Sequence, residues 1–352
     1  MKKQIPIPIV EARGTHREVG QQIGQACKAG IRTTVAGLQD DLPAGVTWNA
    51  LLQQSARYLE FSRQVYPQYV DELEGIAEGA DMLFEEVFLS MCEELWESAA
   101  WRGCTDMAAR GRATKDGSTL IAHTNDLLPR AEEHLVLLKI QTENEPEFLG
   151  ISSGGIAISA GFNAAGISLT GNQLDNNDIH PGVPRLLGVR AILASRHLSE
   201  AMDHCLLLQR ASSYNNVLAD SNGEVYSMEG SATDCEPIYI EEDILAHANH
   251  YLSPAMRHFE ADRNSIGNSV LRYNRAMRLL RENYGQLTPE LFQKLLGDHA
   301  GYPTSICKHG TETVTVFSII IQLENLRAWI GRGRACETEY VEYRLVPYQG
   351  KL

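Results

Sequence analysis

The sequence predicts a four-layer αββα sandwich, an α+β fold in which two sheets pack face to face between outer helices. Three observations carry that expectation. A helical block runs from about Thr15 to Trp96, the hydrophobic period changes near residue 104, and the later strand runs are separated by helices without strict β-α-β alternation.

Within the opening block, Val19, Ile23, Cys27, Ile31 and Val35 recur every four residues, and Val70, Leu73, Ile76, Ala77 and Ala80 keep the same period. Pro43 and Gly45 punctuate the first pair of helices, and Pro67 stands where a new helix can begin. Short β-rich runs follow at Ser118 to Thr124, His134 to Gln141, Gly155 to Phe162 and Gly166 to Thr170. The last two read as a hairpin joined through Asn163-Ala164-Ala165-Gly166. Pro184 to Leu208 is helical, and strands follow around Asn216 to Ala219 and Glu224 to Met228. A helical stretch from Ser269 to Leu296, closed by Gly297, precedes final strands at Thr313 to Gln322 and Leu326 to Ile330. No internal repeat or low-complexity linker interrupts this order.

The composition is that of a globular protein: 352 residues, 43% hydrophobic and 22% charged. With 31 Lys+Arg against 45 Asp+Glu the formal charge is 31 − 45 = −14, which disfavours nucleic acid and anionic membranes as partners. No run of roughly 18 apolar residues is present. Two prolines, Glu11 and Arg13 break any signal-peptide core near the start, so a cytoplasmic location is expected. The seven cysteines are odd in number, scattered and never spaced C-x-x-C, which argues against a disulfide framework or a zinc knuckle.

Arg102-Gly103-Cys104-Thr105 falls where the helical block meets the first strand run. Glycine at 103 removes bulk from the carbonyl behind Cys104, so the thiol can attack it, form a thioester by an N→S acyl shift, and leave a new amino terminus after hydrolysis. The freed α-amine, with a reference pKa of about 7.7–8.0 against about 8.5 for the thiol, can serve as base for its own side chain. A buried inert cysteine is the plain alternative. In Ala246-His247-Ala248-Asn249-His250, Asn249 offers an amide donor to an oxyanion, against a loop whose side chains satisfy turn carbonyls. His247 and His250 lack an H-E-x-x-H pattern or a Cys partner, so neither a metal nor a cofactor is expected. Gly150-Ile151-Ser152-Ser153-Gly154 matches G-x-S-x-G and offers a serine hydrolase, but a hairpin follows where the elbow needs a helix. Asp126, at a strand end beside Cys104, is placed to orient the nucleophile or simply to cap a turn. Thr105, Asn172, Ser305 and Lys308 are further candidates for substrate-binding or supporting roles; the segment from Tyr302 to His309 offers a hydroxyl, a thiol and two basic groups.

Taken together, Arg13-Gly14-Thr15-His16-Arg17-Glu18-Val19-Gly20-Gln21-Gln22-Ile23-Gly24, Glu72-Leu73-Glu74-Gly75-Ile76-Ala77-Glu78-Gly79-Ala80-Asp81 and Gly103-Cys104-Thr105 resemble the acyl-coenzyme A:6-aminopenicillanic acid (isopenicillin N) acyltransferase family. The likeness extends to Asn125-Asp126, the Pro184 to Leu193 helix with Arg190, Asn249-His250 and Ser305-Ile306-Cys307. It implies an N-terminal nucleophile (Ntn) hydrolase, cut between Gly103 and Cys104 into associated pieces of 103 and 352 − 103 = 249 residues that form one structural domain. It also implies Cys104 as nucleophile, Asn249 as oxyanion donor and Asp126 as supporting acid, acting on a small N-acyl compound or acyl thioester with water or an amine as acceptor. An uncut binding protein on the same fold is the other reading. Three departures stand out. Met91-Cys92-Glu93-Glu94 replaces an Asn and an Arg, Lys308 replaces an Arg that often follows Ser-Ile-Cys, and Asp106 adds a negative charge expected to raise the thiol pKa and favour amine-bearing substrates.

Overall fold

In a computed structural model that describes residues 5–42, 45–96 and 103–349, the chain stacks as helices, sheet, sheet and helices. The first sheet has eight strands in the order β1 (Ile9–Gly14), β4 (Leu135–Thr142), β5 (Phe148–Ser153), β6 (Ala157–Asn163), β7 (Ile167–Asn172), β8 (Asn215–Asp220), β9 (Val225–Gly230) and β10 (Cys235–Tyr239). The second has six: β11 (Ile244–His247), β2 (Gly103–Gly111), β3 (Gly117–Leu127), β12 (Val314–Gln322), β13 (Arg327–Arg332) and β14 (Val341–Arg344). Only β1 with β4 is a parallel pair among these strands. Helices α1 (His16–Asp40), α2 (Trp48–Val65), α3 (Pro67–Ala80), α4 (Phe84–Met91), α5 (Glu93–Trp96), α6 (Arg185–Ala194) and α7 (Leu198–Cys205) lie on the first sheet. Helices α8 (Gly267–Glu282) and α9 (Pro289–Leu296) cover the second.

Strand alternation explains the layers. Leu138 and Ile140 of β4 pack against the first helical layer, while Leu135 and Leu137 face the opposite sheet. In β12, Ile319 and Ile321 point between the sheets and Ile320 points to α9. Each such side chain contributes about 1.5–3 kcal/mol by leaving water, so a one-residue slip would forfeit both cores at once.

The opening motifs are packing devices. Thr15 caps α1: its Oγ1 accepts from the Glu18 amide at 3.3 Å while Glu18 accepts from the Thr15 amide at 2.8 Å. Helices α1 and α3 then cross so closely that a Cβ on Gly20 would lie 2.0 Å from the Glu72 carbonyl oxygen, and one on Gly75 would lie 2.2 Å from that of Arg17. Beneath this crossing, Arg190 of α6 donates two 2.9 Å hydrogen bonds to buried Glu72 and a third to Glu145. Burial opposes the Glu72 charge, but Arg190 and His16 outweigh it and hold the carboxyl below its ordinary range.

Several boundaries differ from the sequence expectation. The Pro184 to Leu208 stretch is two helices, because Ser195 turns extended after α6. The Ser269 to Leu296 stretch also divides, at Gly285 with φ of 76°. Strands β1, β5, β10 and β14 escaped the pattern reading, and His247 belongs to β11 rather than to a loop. Pro43 lies outside the described residues. Among the described residues no helix is long and apolar enough to cross a membrane.

Candidate active site

Cys104 is the second residue of β2, and it is 4% exposed. On this strand Ala108 packs between the sheets while Met107 and Ala109 pack under α8 and α9. The alternation therefore turns Cys104 and Asp106 toward the first sheet and Thr105 toward the helices. The thiol opens into a narrow cleft lined by Asn125, Ser159, Thr170, Gln173, Arg185 and Tyr214, among others. Ser159 and Arg185 also border a neighbouring cavity of about 390 Å³, walled by α1, β6 and the start of α6.

The backbone of Cys104 is held from both ends. Its N–H donates to Asn249 Oδ1 at 2.9 Å, and Arg272 donates to its carbonyl oxygen. The same guanidinium donates to Thr105 Oγ1 at 2.9 Å and to Asn249 Oδ1 at 2.7 Å. Asn249 is fixed in turn, because its Nδ2 donates to the Gln173 carbonyl at 3.0 Å and its own N–H donates to Ser269 Oγ at 2.7 Å. Burial lowers the Arg272 pKa, and Asp126 and Cys104 oppose that shift.

Asp126 is fully buried opposite Gly103 in the β2–β3 ladder. Its Oδ1 accepts from Thr315 Oγ1 at 2.7 Å, and its Oδ2 is 3.6 Å from Lys308 Nζ. A Cβ built on Gly103 would come within 2.6 Å of that ammonium and 3.1 Å of Asp126 Oδ2. Glycine at 103 thus leaves room for a cation and an acid to sit against the peptide that precedes the thiol.

On the cleft side of the same strands, Asn125 is the cross-strand neighbour of Cys104 and His123 that of Asp106. Asn125 Nδ2 lies 3.7 Å from Cys104 Sγ and 3.4 Å from His123 Nε2, while His123 Nδ1 lies 3.0 Å from Asp106 Oδ1. Burial disfavours a charged His123, but the Asp106 carboxylate and then the Cys104 sulfur outweigh it and push its pKa up to about 10. Asp106, expected to place a negative charge near the thiol, lies against the His123 imidazole through its Oδ1. His250 goes the other way, lowered to about 4 by burial and by His247.

The remaining candidates separate. Lys308 and Thr105 stand beside Gly103 and Cys104, though Thr105 faces Arg272 rather than the cleft. Asn172 instead serves a buried network, its Oδ1 accepting from Asn215 at 3.0 Å and lying 3.1 Å from His247 Nδ1. His247 Nε2 is 2.7 Å from Glu229, so it is a network member between the sheets. Ser305 donates to the Cys307 carbonyl at 2.7 Å and shapes its own loop. Ser152 is wholly buried in β5, and a turn and β6 follow it; the serine-hydrolase alternative lacks both access and the strand-to-helix elbow. Glu93, where the departure from the family pattern was noted, pairs with Arg185 at the cleft wall.

Sequence reasoning missed Arg272 and His123, and it named Asn125 only within the family likeness, with no role beside the thiol. The signal for Arg272 was available: Ser269, Arg272, Ala276, Leu279 and Leu280 form the buried stripe of α8, with an arginine among small and apolar residues.

The fold and site define an αββα protein with a thiol at the head of an inner strand, its main chain clamped by an amide and a guanidinium. The acyl-coenzyme A:6-aminopenicillanic acid acyl-transferase model matches residues 112–335, beginning just after the β2 strand, and the chain belongs to that family. It is 29% identical over 340 residues to the 40 kDa form of acyl-coenzyme A:6-aminopenicillanic-acid-acyltransferase of Emericella nidulans, covering 92% of each chain. A β-alanyl-dopamine/carcinine hydrolase of Drosophila melanogaster is 24% identical over 341 residues, covering 84% of each. Among solved structures, a conjugated bile acid hydrolase of Clostridium perfringens aligns with a TM-score of 0.45 at 11% identity, over 69% of this chain and 97% of that one. Penicillin V acylase of Agrobacterium tumefaciens aligns at 0.39 and 13%, over 65% and 83%. The two curated relatives are thus named as an acyltransferase and a hydrolase.

Proposed function

We propose that this protein is a self-cleaving cysteine amidohydrolase or acyltransferase whose nucleophile is Cys104. The observation that carries the reading is the clamp on the Gly103–Cys104 segment: Asn249 on the Cys104 nitrogen, Arg272 on its carbonyl, and Lys308 with Asp126 against Gly103. In maturation Sγ attacks the Gly103 carbonyl carbon, the C–N bond breaks as the nitrogen gains a proton, and water hydrolyses the thioester. Asn249 Oδ1, already on that nitrogen, then orients the freed α-amine as base.

In turnover the α-amine takes the thiol proton, Sγ attacks the acyl carbonyl, and the leaving amine or thiol departs with that proton. Water or a second amine then accepts the acyl group from Cys104. One N–H of the Asn249 amide is committed to Gln173, which leaves the other for the oxyanion. The substrate class is a small N-acyl amide or acyl thioester, in keeping with the names of the two relatives. The cleft supplies buried polar atoms without protein partners, Asn125 Oδ1, Thr170 Oγ1 and Gln173 Oε1, that a substrate amide can satisfy. The mature pieces stay associated, and the reaction needs no cofactor.

The test is an intact mass of freshly purified protein under denaturing conditions beside Cys104→Ala. Two fragments meeting at Gly103/Cys104 in the wild type and one uncut chain in the variant are expected. A full-length mass in both would sink the self-cleaving enzyme and favour an uncut binding protein. A panel of N-acyl amides and acyl thioesters, with and without an amine acceptor, then separates hydrolysis from transfer.

A further inference from the structure

The loop between α9 and β12 and the loop after β13 bring together four side chains from three places in the chain. His299, Cys307, His309 and Cys336 offer one ligand atom each, all within 4.8 Å of one another. Cys307 Sγ lies 3.6 Å and Cys336 Sγ 3.4 Å from His309 Nε2. The rings of His299 and His309 are 4.9 Å apart between centroids and nearly perpendicular, at 82°. A tetrahedral zinc with Zn–N of about 2.0–2.1 Å and Zn–S of about 2.3 Å has N···S edges of about 3.6 Å. The sulfur-to-nitrogen spacings already match those edges.

We infer that His299, Cys307, His309 and Cys336 form a Cys₂His₂ site for a divalent transition metal, zinc fitting best. Two thiolates and two imidazoles are the donor set that selects zinc over the oxygen-seeking divalent ions. Binding displaces one proton from each thiol to solvent, and the two thiolates neutralise the ion. Cys307 is buried, His309 and Cys336 are partly buried and His299 is exposed, so the metal enters from the His299 side and closes against the core. The surroundings hold the ligands in place. The Cys307 N–H donates to the Asp298 carbonyl at 3.1 Å, and Asp298 is itself paired with Arg275, by bonds of 3.0 and 2.6 Å. The Tyr302 ring packs on both histidines, at 6.1 and 5.4 Å.

The sequence expectation of no metal came from spacing alone, since no C-x-x-C is present. Cys307 and His309 are two residues apart, while Cys336 arrives from beyond two strands and His299 from the end of the preceding helix. The ion's role follows from what stands between the first two ligands. Lys308 points the other way, to Asp126 and Gly103, while its N–H donates to Thr315 Oγ1 at 2.8 Å. A metal gripping residues 307 and 309 therefore pins the ammonium that lies against Gly103. The site is structural toward the loop and positioning toward Lys308; it touches no reacting atom.

The experiment loads reduced full-length protein with zinc or cobalt, removes free metal by gel filtration, and measures bound metal per chain. Expected is one ion per chain, with the d–d absorption of tetrahedral cobalt and a thiolate-to-cobalt charge-transfer band. Cys336→Ser should lose the ion. His299→Ala, which changes an exposed side chain and keeps the core, should weaken retention and alter the cobalt spectrum. No stoichiometric metal on reduced wild-type protein, or unchanged retention and spectrum in His299→Ala, would overturn the site. So would a Cys307–Cys336 disulfide whose reduction restores no metal uptake. None of these readouts depends on cleavage at Cys104, so the site and the self-cleaving reading stand or fall separately.

Discussion

The two faces of the β2–β3 ladder divide the work around one thiol. The face toward the first sheet holds Cys104, Asn125, His123 and Asp106, and these interact through side chains. The face toward α8 holds Thr105, Asp126 and, from neighbouring elements, Arg272, Lys308 and Thr315; here the guanidinium and ammonium act on main chain and on an acid beneath it. The difference teaches that a single pair of strands can surround a thiol with polar side chains from one side and immobilise its backbone from the other, because adjacent residues never share a face.

Removing Arg272 should break the comparison most severely. Arg272→Met deletes the donors to the Cys104 carbonyl, Thr105 and Asn249 in one step. Self-cleavage, followed by intact mass over time, should slow by about 10²-fold or more, the range for losing one preorganised donor in acyl transfer; cleavage at the wild-type rate would show that the helix-side face is dispensable.

A smaller effect is expected from the cleft-side pair. His123 is held near pKa 10 in the fold against about 6.5 unfolded, so its stabilising proton is fully present below about pH 6.5 and lost as pH rises through 10. Urea midpoints of the wild type should fall across that window. Asp106→Asn should cost about 1.5–3 kcal/mol at pH 7, the worth of a hydrogen bond to a charged group, and should flatten the pH slope. An equally steep slope in the variant would mean another group titrates. The smallest effect belongs to Ser152→Ala, for which turnover should equal that of the wild type; a large loss would return the serine to consideration.

Layer order was legible because periodicity is a local signal, and α1, α3, β3, β6, β7 and β12 announce themselves by spacing. The position of Cys104 was legible for the same reason: Gly103-Cys104 falls at the point where one period gives way to another. What the sequence hides is register. Asp106 looked like a charge beside the thiol because only its distance along the strand was visible; that His123 lies across from it is a fact of pairing. Arg272 and Asn249 likewise meet across an interval of the chain that no local pattern spans. Short strands such as β11 and β14, four residues each, are too brief for alternation to declare itself.

If the chain is cut before Cys104 as proposed, the parallel pairing of β1 with β4 bears on the life of the molecule afterwards. A chain severed before Cys104 leaves its shorter piece woven in as an edge strand, and α1 to α5 as part of a helical layer shared with α6 and α7. The halves then have no interface to part along, only an interior to expose. Maturation would thus be a ratchet: the intact chain finds its fold as a unimolecular process, whereas the denatured, cut enzyme must reassemble by collision and should recover at a rate that depends on dilution.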